Sequence, residues 1–323
     1  MDHGVVRTVD YHTGGEPFRI VTDPGPIAGE SVAARRVTAM IDPRVDGLRR
    51  LLCFEPRGHA DMYGGFLVPP DDDGAHLGVL FWHKDGFSTA CGHGTIALGA
   101  WAVRSGFVPS TGDRTDVVID VPSGRVTARV HADGRVDFVN VPSYLIARGV
   151  EVGKYRVDVS FGGAIYAQIN VDALGLSVTP ESYQDLIAIG REIKWALNDS
   201  PIARHPGDDR LSGVYGTILY EELGPLHQRN VTIFADGELD RSPCGSGTAA
   251  RVATLAATGQ LSAGQTFVHD SIVGSRFTAV IEAETTVDGF AAVVPCITGT
   301  AYPTGEHTFF VDPADDLPGF VLR

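Results

Sequence analysis

The chain repeats itself, and no other feature of the sequence constrains its fold so strongly. Residues 91–106 read CGHGTIALGAWAVRSG and residues 244–259 read CGSGTAARVATLAATG, with seven of sixteen positions identical at an offset of 153. Two weaker echoes keep the same order. Arg125-Val-Thr-Ala128 returns as Arg276-Phe-Thr-Ala279, and Gly14-Gly-Glu-Pro-Phe18 returns loosely as Gly162-Gly-Ala-Ile-Tyr166. Any one match is unremarkable in a chain with 39 glycines. Three in order at nearly constant spacing indicate duplication. The expected units are residues 1–148, carrying Cys91, and 149–323, carrying Cys244, joined near residues 142–155. The C-terminal end is expected to return to the first unit.

Each half reads as strands alternating with helices, an α/β (α+β) chain. Val117–Val121, Arg125–Val130 and Arg135–Val141 are short alternating runs, with tight-turn signals at Ser123-Gly124 and Asp133-Gly134. Arg276–Ile281 and Phe290–Val294 flank Asp288-Gly289 in the same way. Ile96–Val103, after Cys91, is apolar all round, which predicts a helix buried on every side. The alanine-rich segment after Cys244 predicts another. Each ends on a glycine, Gly106 or Gly259, a helix stop. A third helix, amphipathic, is predicted from Thr179 as N-cap and Pro180 as first residue, burying Leu186, Ile193 and Leu197.

The repeat thus places a Cys-Gly-x-Gly-Thr at the start of each buried helix. First-turn N–H groups have no intrahelical partner and the helix dipole is positive there, so a carboxylate fits and a thiol is expected to ionise more easily. The glycines are expected to let a ligand approach the backbone. If the halves face each other, two thiols flank one α-carbon. One then removes a proton and the other returns a proton to the opposite face, inverting the centre. Cys53 and Cys296 lie in apolar runs and read as small buried hydrophobes. Cys91-x-His93 lacks a second ligand pair, so no metal is expected. Gly92-x-Gly94 and Gly245-x-Gly247 fall short of the dinucleotide fingerprint. A Cys91–Cys244 disulfide would be an oxidised, inactive state. The competing reading is an amino-acid-binding protein, which would not need thiols.

Composition narrows the partners. Asp+Glu is 40 and Lys+Arg 26, a net charge of −14, which repels nucleic acid. Only three lysines occur, Lys84, Lys154 and Lys194, too few for a polybasic membrane anchor and few for a pyridoxal Schiff base. The apolar stretches Leu77–Trp82 and Phe290–Ile297 are too short to span a bilayer, and the opening residues lack a signal-peptide pattern. The expectation is a soluble cytoplasmic protein with reduced thiols, no cofactor, no nucleic-acid or membrane partner and a small-molecule substrate. A homodimer is left open.

Four segments carry a resemblance: Asp10-Tyr-His-Thr-Gly-Gly-Glu-Pro17, Glu55-Pro-Arg-Gly-His-Ala-Asp-Met-Tyr-Gly64, Cys91-Gly-His-Gly94 and Asp240-Arg-Ser-Pro-Cys-Gly-Ser-Gly247. Together they resemble the proline racemase superfamily of proline racemases, 4-hydroxyproline epimerases and trans-3-hydroxyproline dehydratases, from about residue 8 to about residue 310. The resemblance implies a cofactor-independent enzyme with the diaminopimelate epimerase fold. That fold has two pseudo-symmetric domains, each a curved sheet round a central helix, with the site in the cleft. It implies Cys91 and Cys244 as the two bases, and the backbone of Gly92, His93, Gly245 and Ser246 around the carboxylate. Asp240 would meet the ring nitrogen with His93 beside it, and Tyr63 and Phe234 would line the ring pocket. Dehydratases of the family usually carry Thr at the second cysteine, so Cys244 favours inversion. Asp61-Met-Tyr63 and Gly86-Phe-Ser-Thr-Ala-Cys91 look closer to the dehydratase branch. Two aromatics at the ring suit unsubstituted proline first and hydroxyproline next.

Overall fold

The duplication runs through the backbone element by element. The computed structural model describes residues 5–317 and 319–322. Strands Val5–Thr13 and Glu16–Val21 form a hairpin. Gly64–Val68 joins the second strand in parallel, Leu77–His83 returns antiparallel, and Gly86–Phe87 adds a short strand ahead of a helix. The second half passes through Tyr155–Phe161, Ile165–Asn170, Val214–Gly224, His227–Phe234 and Glu238–Asp240 with the same senses. Beyond each helix one strand returns parallel to the fourth and opens an antiparallel hairpin. These are Arg114–Val121 with Gly124–His131, and Phe267–Ser271 with Arg276–Val287. Asp288 and Gly289 take φ of 51° and 84° in the tight turn that their sequence signals.

The halves are tied together by exchanged strands. Ser143–Val152 leaves the first half to pair with Tyr155–Phe161, and the end of Phe290–Phe310 pairs with Val5–Thr13. Between these exchanges, Cys296–Thr300 lies antiparallel to Arg135–Val139. Among the described residues the result is one ladder of 17 strands. Residues 148 and 149 fall inside the exchanged strand Ser143–Val152.

The described helices are α1 (Val32–Ile41), α2 (Pro43–Cys53), α3 (Gly92–Arg104), α4 (Tyr183–Asn198) and α5 (Gly245–Ala257). Helices α3 and α5 are the repeated pair, each buried among strands. Ile96 and Leu98 are fully buried, which stabilises the fold by about 1.5–3 kcal/mol each. A Cβ on Gly99 would sit 2.5 Å from that of Ala128, so this glycine lets α3 lie close on its sheet. Gly106 and Gly259 take φ of 76° and 72°, the left-handed stops expected of them. Leu186, Ile193 and Leu197 of α4 are buried, but its start differs from expectation. Pro180–Ser182 is a 3₁₀ turn closed by Ser182 N–H on the Thr179 carbonyl, Thr179 makes no side-chain cap, and the α-helix begins at Tyr183. No described helix is long and apolar enough to cross a membrane.

Candidate active site

Cys91 and Cys244 are the N-caps of α3 and α5. Each Sγ accepts a hydrogen bond from the N–H three residues on, Gly94 at 3.2 Å and Gly247 at 3.3 Å. A Cβ on Gly94 would lie 2.8 Å from Cys91 Sγ, and one on Gly247 2.9 Å from Cys244 Sγ. The second glycine of each motif therefore makes room for the thiol to fold back over its helix. The first glycines have a different task. A Cβ on Gly92 would lie 2.5 Å from the Gly245 Cα, and one on Gly245 2.6 Å from the Gly92 Cα. The two helix starts abut, and the space expected for ligand approach is what brings them together. The first-turn N–H groups of Gly92, His93, Gly245 and Ser246 have no intrahelical acceptor.

The thiols are 4% and 5% exposed. The expectation of lowered thiol pKa values is not met. Burial pushes Cys91 well above the ordinary thiol value, against the Gly94 N–H, with the charge of Asp240 adding to the rise. Burial and Asp240 push Cys244 up likewise, against the Gly247 N–H. The hydrogen-bond donors around each thiol do not offset its loss of water. Burial also raises Asp240 to about 6 and lowers His93 to about 3, so the imidazole is neutral at pH 7. Cys53 and Cys296 are buried, and burial pushes both up to about 12.

The remaining expected residues gather here. His93 is buried, with Nδ1 3.4 Å from Cys91 Sγ and 4.0 Å from Asp240 Oδ2. Asp240 Oδ1 accepts the Ser242 N–H at 2.8 Å. Ser246 Oγ lies 2.6 Å from the Tyr166 hydroxyl, which is 3.9 Å from Cys244 Sγ. The Tyr63 ring is 4.9 Å from His93 and 5.7 Å from Phe234.

Further side chains complete the wall. The Tyr63 hydroxyl lies 2.5 Å from Ser88 Oγ and 2.9 Å from the Tyr215 hydroxyl, and Tyr215 stacks on Phe234 with centroids 5.7 Å apart. Two of the three hydroxyls come from the first half and one from the second. Tyr166 was within reach of sequence reasoning: the echo of Gly14–Phe18 pairs it with Phe18, whose ring is 5.8 Å from His93. Glu16, in the segment Asp10–Pro17, has a structural task. It is fully buried, and Oε2 accepts the Arg241 N–H at 2.7 Å, tying the first half to the segment between Asp240 and Cys244. Thr13 Oγ1 donates to the His93 carbonyl at 2.9 Å, so the turn Thr13–Glu16 reaches the start of α3 and the segment leading into α5.

A donor set for a metal exists beside the hydroxyls. His83, Asp85 and Glu238 bring ligand atoms within 4.8 Å of one another. The Lys84 ammonium, 2.7 Å from Asp85 and 3.9 Å from Glu238, already supplies positive charge there.

Comparison with known proteins agrees with this geometry. The chain matches the family described as Proline racemase over residues 8–321. It is 42% identical to a trans-3-hydroxy-L-proline dehydratase of Bacillus thuringiensis subsp. konkukian and 43% identical to a 3-hydroxyproline 2-epimerase of Burkholderia multivorans, covering 98% of each chain in both pairs. Its backbone superposes on a hydroxyproline epimerase from Agrobacterium vitis, crystallised with trans-4-hydroxy-L-proline, with a TM-score of 0.94 at 30% identity, over 98% of this chain and 95% of that one. With two thiols on abutting helix starts and these relatives along its whole length, the chain belongs to the proline racemase family.

Proposed function

We propose that this chain inverts the α-carbon of a ring-hydroxylated proline, 3-hydroxyproline first, by a cofactor-free proton transfer between Cys91 and Cys244. The observation that carries the reading is the pair of buried thiols, one from each repeat, capping helices whose first turns touch. The substrate carboxylate accepts from the N–H groups of Gly92, His93, Gly245 and Ser246. Asp240 holds the ring nitrogen with neutral His93 beside it, and Tyr63 and Phe234 enclose the ring. One thiol takes the α-proton and the other delivers a proton to the opposite face, so the roles reverse with direction. The raised thiol pKa values fit a site charged by its ligand. A ring ammonium beside Asp240 adds positive charge and draws a nearby thiol back toward ionisation. Residues 1–148 and 149–323 are taken as units that each supply one thiol to the cleft between them. The cytoplasm keeps such thiols reduced.

Proline itself, the first expectation from two aromatic residues, gives way here to a hydroxylated ring. Tyr63, Ser88 and Tyr215 present three hydroxyls at the aromatic wall, and a buried polar wall favours a substrate that pairs with it. The Burkholderia relative named as a 3-hydroxyproline epimerase supports this choice. The same hydroxyls, with relatives named as dehydratases, support a second reading in which the ring hydroxyl leaves after α-proton removal. The test is a panel of proline, 3-hydroxyproline and 4-hydroxyproline isomers in heavy water. We expect the C2 epimer of 3-hydroxyproline, deuterated at Cα, to form fastest. Rapid pyrroline formation without inversion replaces the first reading by the second. No exchange on any isomer reduces the protein to a binder.

A further inference from the structure

A cavity of about 450 Å³ lies outside the hydroxyl cluster, within the roughly 300–1,000 Å³ usual for small-molecule sites. Both halves line it. Its wall includes Ser88 and Tyr215, the two residues bonded to the Tyr63 hydroxyl, and the thiols do not reach it. The Tyr215 ring meets Tyr166 edge-on at 5.7 Å, and the Tyr166 hydroxyl lies 3.9 Å from Cys244 Sγ. The hydroxyl cluster is therefore the partition between this cavity and the thiols.

The charges around the cavity are unevenly matched. Asp85 is bonded to Lys84 at 2.7 Å and accepts the Asp236 N–H at 2.9 Å, while Asp236 Oδ1 accepts from Arg191 at 2.8 Å and from Trp195 at 2.9 Å. Both acids are committed to protein partners. The two cations are not. Lys194 is 6% exposed and has no hydrogen-bond or ion-pair partner among the described residues; its ammonium lies 3.6 Å from the centre of the Trp195 ring. Arg36 donates to the carbonyls of Phe87 at 2.8 Å and Arg210 at 3.2 Å, and no carboxylate pairs with it among the described residues. The charges of Asp236, Asp85 and Glu238 reach Lys194 through space, but none of them takes a hydrogen bond from its ammonium among the described residues, so its donors remain for a ligand in the cavity.

We infer that this cavity is an outer subsite in which Lys194, assisted by Arg36, holds the carboxylate of an incoming amino acid before it passes Tyr63 and Tyr215 to the thiols. The subsite rests on the two-thiol reading only for the identity of its ligand. Its test needs no substrate. Iodoacetate and iodoacetamide both alkylate a thiolate, forming a C–S bond as iodide leaves, but only iodoacetate carries a carboxylate. Labelling of Cys91 and Cys244 is followed by peptide mass spectrometry at mildly alkaline pH in the unaltered protein and in Lys194→Gln. The ratio of iodoacetate to iodoacetamide rates is expected to fall about tenfold in the variant, with the iodoacetamide rate unchanged. In the unaltered protein, added acetate is expected to slow iodoacetate selectively, which needs no variant to fold. In steady state, Lys194→Gln should raise KM and leave kcat unchanged. An unchanged ratio with no effect of acetate, equal slowing of both reagents, or thiols that neither reagent reaches would each overturn the subsite. Selective loss of iodoacetate labelling in a protein that inverts no amino acid keeps the subsite and removes only the catalytic reading.

Discussion

The two helix starts are copies, yet their cysteines sit in different backbones. Cys91 has φ −156° and ψ 104°, ordinary extended geometry, while Cys244 has φ 61° and ψ 104°, a region that residues with a Cβ avoid. Their surroundings differ as well. Cys91 faces the imidazole of His93. The matching Ser246 is bonded to Tyr166, so Cys244 faces a phenol. Four residues before Cys244 the chain places Asp240, and four before Cys91 it places Phe87. Duplication supplied two similar thiols, each capping a helix start. Divergence then put a buried carboxylate, Asp240, on one side only, so the two faces offered to an asymmetric substrate are unlike.

The largest expected effect tests whether the copies are equal partners in chemistry. Cys91→Ser and Cys244→Ser should each lower the inversion rate by roughly 10²–10⁴-fold, because a hydroxyl is a far poorer general base. Polarimetry on the best substrate measures it, with circular dichroism as the check on folding. If either variant keeps a tenth of the rate, the two positions are not both proton-transfer groups.

The likeness of the halves was readable in the sequence and their differences were not. The repeated Cys-Gly-x-Gly-Thr locates both helix starts, and the glycines at 106 and 259 locate both stops, because these signals are local. The pairing of Cys296–Thr300 with Arg135–Val139 joins residues far apart in the chain, which leaves no local pattern. Tyr215 belongs to no motif, Ser88 stands in Gly86–Cys91 with nothing local to mark its hydroxyl, and only the fold brings them to Tyr63. The thiol pKa values escaped for another reason. A helix start is visible in sequence, but the depth at which it is buried is not, and burial is the larger effect here.

Asp240 gives the second test, through pH. Its folded carboxyl titrates near 6, above the ordinary value of about 3.9. As pH falls through about 6 it takes up a proton and ceases to hold a ring ammonium, so kcat/KM should decline on that limb. Asp240→Asn should have low kcat/KM throughout and lack the limb. Stability should move the opposite way. The folded form binds this proton more tightly, as it does that of Glu16, whose carboxyl burial and the charge of Asp240 also raise, so stability present below about pH 4 is lost as pH rises through 6. Urea unfolding across this range should show a flatter profile for Asp240→Asn than for the unaltered protein. An unchanged acid limb in the variant would assign that limb to another group and weaken the claim that one half alone reads the nitrogen.

The smallest effect isolates the backbone difference itself. Each cysteine can be replaced by alanine and, separately, by glycine. The alanine-to-glycine step compares two residues that both lack the thiol, so the lost N-cap contact and lost sulfur packing largely cancel. At position 91 the backbone is extended, and glycine should be less stable than alanine by about 0.4–1 kcal/mol, because it frees the unfolded chain. At position 244 the positive φ penalises alanine by about 1–2 kcal/mol and glycine hardly at all. Glycine should therefore be the more stable replacement at 244 and the less stable one at 91, a reversal of sign between two copies of one motif. Denaturant midpoints of the four variants measure it. Equal alanine-to-glycine steps at both positions would mean that Cys244 is relaxed in solution and that the two helix starts are alike in backbone. The asymmetry would then lie only in side chains such as His93, Asp240 and Tyr166.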